Sequence, residues 1–252
     1  MVKWSTIYFD SVTSTNTIAT ERAAEGAPER TVIVAQSQTR GRGRQGRTWV
    51  SLPGSLLFSV ILRPAWSPAH LGKLGFYACV AAALAAEGCG SRMARLKWPN
   101  DLWLPLDPSE TAVYSKAGGV LVETAVSRGA CDWAVVGIGV NVLPVQPDHV
   151  RDFDFVPSSV SQSAGRIVHP DALLNAFLDQ FDRLYAADGP ENWAYVLAEW
   201  RSRDMVAGQP VTVRIGRESI QGRAAGVDDE GALLLETPRG LRHLPAGDVQ
   251  GV

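Results

Sequence analysis

Trp133-Ala134-Val135-Val136-Gly137-Ile138-Gly139-Val140-Asn141 is the stretch on which the fold turns. An almost unbroken apolar run of strand length reads as a central strand covered on both faces. Dinucleotide-binding folds also carry Gly-x-Gly after a strand, but there a third glycine and the first turn of a phosphate-binding helix follow. Here the third glycine is missing, and Pro144 and Pro147 stand where that helix would begin. The sequence therefore rejects a Rossmann arrangement and asks for another kind of sheet.

Working outward, Gly119 to Glu123 has the same texture, while Ala94 to Lys97 and Leu102 to Leu104 flank a Pro99-Asn100 turn. Ile7 to Phe9, Thr31 to Ala35 and Ser55 to Leu62 supply further strands. Thr13-Ser14-Thr15-Asn16 offers N-cap residues for a helix ending near Gly26, and Ser67-Pro68 opens a helix whose span His70 to Glu87 is apolar on every face, hence buried. Amphipathic helices follow over Asp171 to Tyr185 and Trp193 to Trp200, with apolar residues at three- and four-residue steps. Past Met205 the texture changes to short strands, at Val211 to Ile215, Ile220 to Gly226, Ala232 to Leu235 and Leu241 to Leu244, separated by tight turns. The reading is an α+β chain: a sheet flanked by helices over 1–205, then a small all-β unit over 206–252. The segment Pro105 to Ser115 reads as a lengthened loop between two strands.

The 252 residues are 46% apolar and 20% charged, the range of a globular chain with a substantial core. With 24 basic and 26 acidic residues the net charge is −2, so the chain as a whole is not built to sit on nucleic acid or anionic lipid. Cys79, Cys89 and Cys131 lie far apart without Cys-x-x-Cys spacing, which gives neither a disulfide framework nor a zinc site and fits a reducing compartment. No signal peptide and no uncharged apolar stretch of spanning length can be read, so a soluble cytoplasmic protein is expected. His70, His149, His169 and His243 lie outside every glycine-rich cluster and no Gly-x-Ser-x-Gly elbow occurs, so no catalytic triad is legible.

Local chemistry concentrates in Arg40-Gly41-Arg42-Gly43-Arg44-Gln45-Gly46-Arg47-Thr48-Trp49. Its glycines let backbone N–H groups approach a ligand, and its arginines offer forked donors that match carboxylate and phosphate oxygens. Ordering such a loop costs about 1–2 kcal/mol per residue. Charge-assisted hydrogen bonds return about 1.5–3 kcal/mol each, so a multivalent anion is expected to order a loop that is mobile when empty. A solvated surface loop or an RNA-contacting segment is the plainer alternative. In Lys97-Trp98-Pro99-Asn100-Asp101-Leu102 a lysine ends a short strand before a stiff turn, placed to stabilise charge that develops between a carboxylate and a phosphoryl oxygen. Taken alone, a lysine snorkelling at a sheet edge is the more ordinary reading. Lys116 precedes Gly118-Gly119, where paired glycines suggest close approach of a backbone or a ligand.

Ser14-Thr15-Asn16, Gln38, the Arg/Gly block to Trp49, the Lys97 to Leu102 block, Lys116-Ala117-Gly118-Gly119-Val120-Leu121-Val122-Glu123 and Gly137 to Asn141 stand in the order seen in biotin protein ligases, and the chain resembles that family over essentially its whole length. The resemblance implies a mixed sheet like that of class II aminoacyl-tRNA synthetases, followed by a small SH3-like barrel. It implies a two-step reaction, in which biotin and Mg-ATP give biotinyl-5′-AMP and pyrophosphate, and a lysine of a biotin carboxyl carrier domain then takes the biotinyl group and releases AMP. By position, Ser14, Thr15, Asn16 and Gln38 would hold biotin's head, with Gly119, Gly137 and Gly139 giving room beside it. Gly41, Arg42, Gly43 and Arg44 would close over the tail and phosphate. Lys97, with Arg44, would carry the chemistry. Arg42, Arg44, Arg47, Lys97 and Trp49 would hold the adenylate, and Asn141 would contact adenine.

No metal ligand is assigned, because Mg²⁺ takes much of its coordination from phosphate and water, and Asp101 is only a weak candidate. The chain starts directly at the catalytic unit, so a helix-turn-helix repressor domain and DNA binding are not expected, nor is a membrane; a homodimer through a sheet edge is left open. A lipoate or octanoate transferase of the same fold is the near rival. An RNA-binding module using Arg42, Arg44 and Arg47, with Trp49 as a stacking platform, is the rival from another class.

Overall fold

β-Branched and apolar residues make up most of the first strands, β1 (Ser5–Val12) and β2 (Thr31–Gln38), with α1 (Thr15–Ala24) between them. The computed structural model describes residues 3–146, 148 and 155–251; Pro147 and His149 lie outside them. β3 (Ser55–Leu62) is buried at every position. The proline after Ser67 starts a 3-10 segment, Pro68–Lys73, which passes into α2 (Leu74–Gly88). The buried helix expected here is thus two pieces, and Ser67 makes no side-chain cap. By length and composition Pro68–Gly88 is apolar enough to cross a membrane, yet 72% of its most apolar window is buried inside the fold.

β4 (Arg95–Lys97), β5 (Asp101–Asp107), β6 (Glu110–Ser127) and β7 (Ala130–Asn141) complete a seven-stranded sheet in the order β1-β2-β3-β7-β6-β5-β4. Only β1 and β2 pair in parallel; the other neighbours are antiparallel, so the sheet is mixed as expected. The lengthened loop expected at Pro105 to Ser115 is a correction: β5 and β6 run through it as a hairpin, with Asp107 opposite Glu110. Its tight turn is set by Asp107, whose carboxylate accepts from the Ser109 backbone N–H at 2.7 Å.

Three helices follow: α3 (Val160–Ala164), a single capped turn that the sequence reading missed, α4 (Pro170–Leu184) and α5 (Trp193–Arg203). One face of the sheet lies under α2 and α4, where Phe58, Phe177 and Phe181 are buried. The other face carries α1, over Ile33, Ile61 and Val135. Beyond the N-terminus of α1 that second face is uncovered, and this is where β6 and β7 depart from the strands covered on both faces that their apolar runs suggested. Gly119 pairs with Gly139 and Leu121 with Gly137. With a side-chain period of two, those four residues form the floor of the open area.

The C-terminal strands are β8 (Pro210–Ile215), β9 (Glu218–Val227), β10 (Leu233–Thr237), β11 (Gly240–Leu244) and β12 (Asp248–Gln250), an antiparallel sheet in the order β11-β10-β9-β8-β12. The turn at Asp228 to Gly231 docks on the larger unit. Trp98 donates its indole N–H to the Gly231 carbonyl at 3.1 Å, Trp193 donates to the Asp229 carbonyl at 2.7 Å, and Lys73 pairs with Glu230 at 2.9 Å. Phe76 and Trp200 pack behind this seam with ring centroids 4.2 Å apart and planes tilted by 45°.

Candidate functional site

The uncovered floor forms the base of an open cavity of ≈ 680 Å³ that the Arg/Gly loop overhangs. Ser14, Thr15 and Asn16 reach it because they sit at the start of α1, directly above the floor, and all three are buried. Thr15 donates its backbone N–H to the Gln38 side-chain carbonyl at 2.7 Å, which fixes the Gln38 amide. Asn16 accepts from the Ser59 hydroxyl at 2.6 Å and donates to the Glu123 carboxylate at 2.9 Å. A Cβ at position 137 would stand 1.7 Å from the Asn16 Oδ1, so Gly137 leaves the space that this amide fills. Gly139 does the same for Trp49, whose ring lies 2.7 Å from where its Cβ would be.

The loop holds a one-turn 3-10 segment at Arg44–Gly46 and closes on itself through the bridge between Arg42 and Thr48. Gln45 and Gly46 sit at positive φ, 56° and 74°, and make the reversal. Arg42 pairs with Glu123 through two bonds, 2.7 and 3.0 Å. Arg44 donates to the Asn100 side-chain carbonyl at 3.3 Å, and Arg47 pairs with Asp248 of the C-terminal unit at 2.9 Å. Burial pulls the Arg44 guanidinium below its usual range; Asp248 opposes that shift and neighbouring Arg47 adds to it. Trp49 leaves its indole N–H buried without a partner among the described residues, an orphaned donor inside a polar site.

Two lysines flank Asp101. Lys116 lines the cavity, donates to the Asp101 carboxylate at 2.8 Å and lies 5.7 Å from the centre of the Trp49 ring. Lys97 is not in the lining: its ammonium stands 5.2 Å over Trp103, and burial first, then Lys116 and Arg47, lower its pKa against the pull of Asp101 and Asp248. The sequence reading put the chemistry on Lys97; the structure brings Lys116, and not Lys97, into the cavity lining. The reason is a bulge. Leu102 pairs with Gly118 but Trp103 pairs with Lys116, so the strand slips by one residue and Lys116 turns to the face that carries Gly119.

Ser14, Thr15, Asn16, Gln38, Arg42, Gly43, Arg44, Arg47, Trp49, Gly119, Gly137 and Gly139 come together in this one cavity. Gly41 lies outside the lining: its carbonyl accepts from the Trp49 backbone N–H at 3.0 Å, and a Cβ there would meet the Trp49 carbonyl oxygen at 2.4 Å, so it closes the loop. Asn141 also lies apart, lining a neighbouring cavity with Phe155 and Pro157, its amide bonded to the Ser158 carbonyl at 3.1 Å and to the Ser55 hydroxyl at 3.3 Å. Among the described residues no group of three His, Cys, Asp or Glu side chains is arranged to hold a metal ion, and Asp101 already carries an ammonium.

The geometry can grip a planar polar head on a fixed hydrogen-bonding floor and a charged tail under a cationic cover. Two family models match the chain: the biotin/lipoate A/B protein ligase family over residues 8–141 and the biotin protein ligase C terminal domain over residues 206–250. The biotin–[acetyl-CoA-carboxylase] ligase of Paracoccus denitrificans is 33% identical over 222 residues, covering 86% of this chain and 88% of its own. The bifunctional ligase/repressor BirA of Bacillus subtilis is 31% identical over 97% of this chain and 73% of its own. The structure of biotin protein ligase from Aquifex aeolicus in complex with biotin and ATP is similar with a TM-score of 0.77 at 26% identity, covering 98% of this chain and 97% of that one.

Proposed function

The chain belongs to the biotin protein ligase family, and on that premise we infer how its own residues divide the work. The activity is the ATP-dependent activation of biotin and its transfer to a carrier lysine. The observation that carries the assignment of roles is the meeting, in one cavity, of the fixed Thr15–Gln38 and Asn16–Ser59 floor with the arginine loop and Lys116.

Biotin's ureido head is neutral, planar and rich in donors and acceptors, so a buried site must satisfy it, which is the task of Ser14, Thr15 and Gln38. Asn16 spends its amide on Ser59 and Glu123 and shapes the floor. The carboxylate tail then points toward the loop and Lys116. As the carboxylate oxygen attacks the α-phosphorus of ATP and pyrophosphate leaves, negative charge gathers between the two groups. An ammonium already aimed there by Asp101 stabilises that charge more than it stabilises the separate substrates. Lys97 and Arg47 extend the positive field toward the leaving pyrophosphate. Trp49 and the loop keep water from the mixed anhydride until the carrier amine attacks it. Magnesium accompanying ATP takes its ligands from phosphate and water, and no side chain of this chain is assigned to it.

The carrier partner is a biotin carboxyl carrier domain in a reducing, cytoplasmic setting. Biotin-dependent exchange of labelled pyrophosphate into ATP, with no exchange when lipoate replaces biotin, is the expected result. Exchange driven equally by lipoate would turn the assignment toward the rival acyl transferases.

A further inference from the structure

Glu123 ends the row of β6 residues that begins with Gly119 and Leu121, and its carboxylate serves two kinds of partner. One oxygen accepts from the Arg42 Nη2 at 2.7 Å; the other accepts from the Arg42 Nη1 at 3.0 Å and from the Asn16 Nδ2 at 2.9 Å. Asn16 has little freedom of its own, because its Oδ1 is taken by the Ser59 hydroxyl and packs where Gly137 has no side chain. Arg42, by contrast, belongs to the loop and its side chain is 45% exposed. A rigid floor residue and a loop residue therefore share one carboxylate.

We propose that Glu123 is a positioning residue that ties the cationic loop to the biotin floor and so sets how long the loop stays shut over the activated intermediate. This rests on the functional reading above. A forked pair of parallel N–H···O bonds fixes direction as well as distance, so Arg42 is held in one orientation rather than sweeping over the cavity mouth. Any ligand that shifts Asn16 also shifts Glu123, and the loop registers the change through Arg42. Glu123→Gln keeps an acceptor for Asn16 and removes the charge that holds the guanidinium. Arg42→Gln removes the same pair from the exposed side, where the fold does not depend on it.

The test uses the full chain. Biotinyl-AMP is formed on the protein with labelled ATP, and its escape is followed on dilution into unlabelled intermediate, alongside biotin-dependent pyrophosphate exchange. Expected for both variants is escape faster by about tenfold and a KM for biotin raised by a similar factor; kcat for exchange holds within about threefold for Glu123→Gln, whereas Arg42→Gln, which also removes a side chain of the cavity lining, loses kcat as well. In the double variant the two effects should not add, since each removes the same tie. Unchanged escape from both variants, in a wild-type protein that does exchange, would overturn the role of Glu123 alone. If Glu123→Gln does not fold, unchanged escape from Arg42→Gln overturns it equally. A wild-type protein with no biotin-dependent exchange would instead sink the functional reading.

Discussion

Lys97 and Lys116 stand on either side of one carboxylate, and their sequence contexts favoured Lys97. Lys97 ends a strand before a proline turn, which looked like the better-held group. Lys116 lies three residues before Gly119, so a regular strand would have pointed it at the covered face; the slip at Trp103 reverses that, and a bulge leaves no mark in the residue pattern. Lys116→Ala should lower the single-turnover rate of biotinyl-AMP formation by about 10²–10³, the usual loss when a charge-stabilising donor is removed. Lys97→Ala should lower it by only about tenfold, and rapid-quench measurement that reversed this order would return the central role to Lys97. Gly137→Ala forces the Asn16 amide off Ser59, since the new Cβ would lie 1.7 Å from its Oδ1. A fall in Tm matching about 1–3 kcal/mol, together with biotin affinity weakened at least tenfold by titration calorimetry, is expected.

Among the elements, the loop at 40–49 was the most legible by composition and the least by structure. Its arginines announced an anion site, but their separate protein partners, Glu123, Asn100 and Asp248, come from three distant parts of the chain. Arg44→Gly deletes the contact to Asn100 and restores backbone freedom at a position now in a tight turn, so biotinyl-AMP should leave about tenfold faster while its synthesis persists; equal trapping of free intermediate from both proteins would contradict this. Strands and long helices were readable because their faces are apolar with a regular period. The hairpin at 105–115 was not, because two prolines and several polar residues mask strands that lie at the end of the sheet. α3 and β12 were too short to show any period at all.

At the scale of the molecule, the texture change past Met205 was plain in the sequence, but the contacts that join the two units were not. Asp228 shapes the docking turn, accepting from the backbone N–H groups of Glu230 and Ala232 at 2.9 Å and bonding the His243 ring at 2.7 Å. Burial alone would raise its pKa; the bond with His243 and those two N–H groups outweigh it and hold the carboxyl below its usual value. Its stabilising contribution is thus full above the unfolded value of about 3.9 and is lost as pH falls through the lower folded value. Wild type should be more stable than Asp228→Asn in denaturant melts at pH 7, and the gap should close below about pH 4; a gap that is constant with pH would refute the linkage. Asp248→Asn frees Arg47, a half-exposed pair worth about 0–1 kcal/mol to stability, so Tm should barely move. The KM for ATP should rise about threefold with the KM for biotin unchanged, as steady-state kinetics would reveal.

The seam itself carries a consequence for traffic. With Trp98, Trp193 and Lys73 stitched to the turn at 228–231, the small β unit is a fixed wall and not a door. On the proposed division of work, the carrier's lysine arm is admitted by the yielding of the arginine loop, so the same ten residues that guard the activated vitamin also decide when it is handed over.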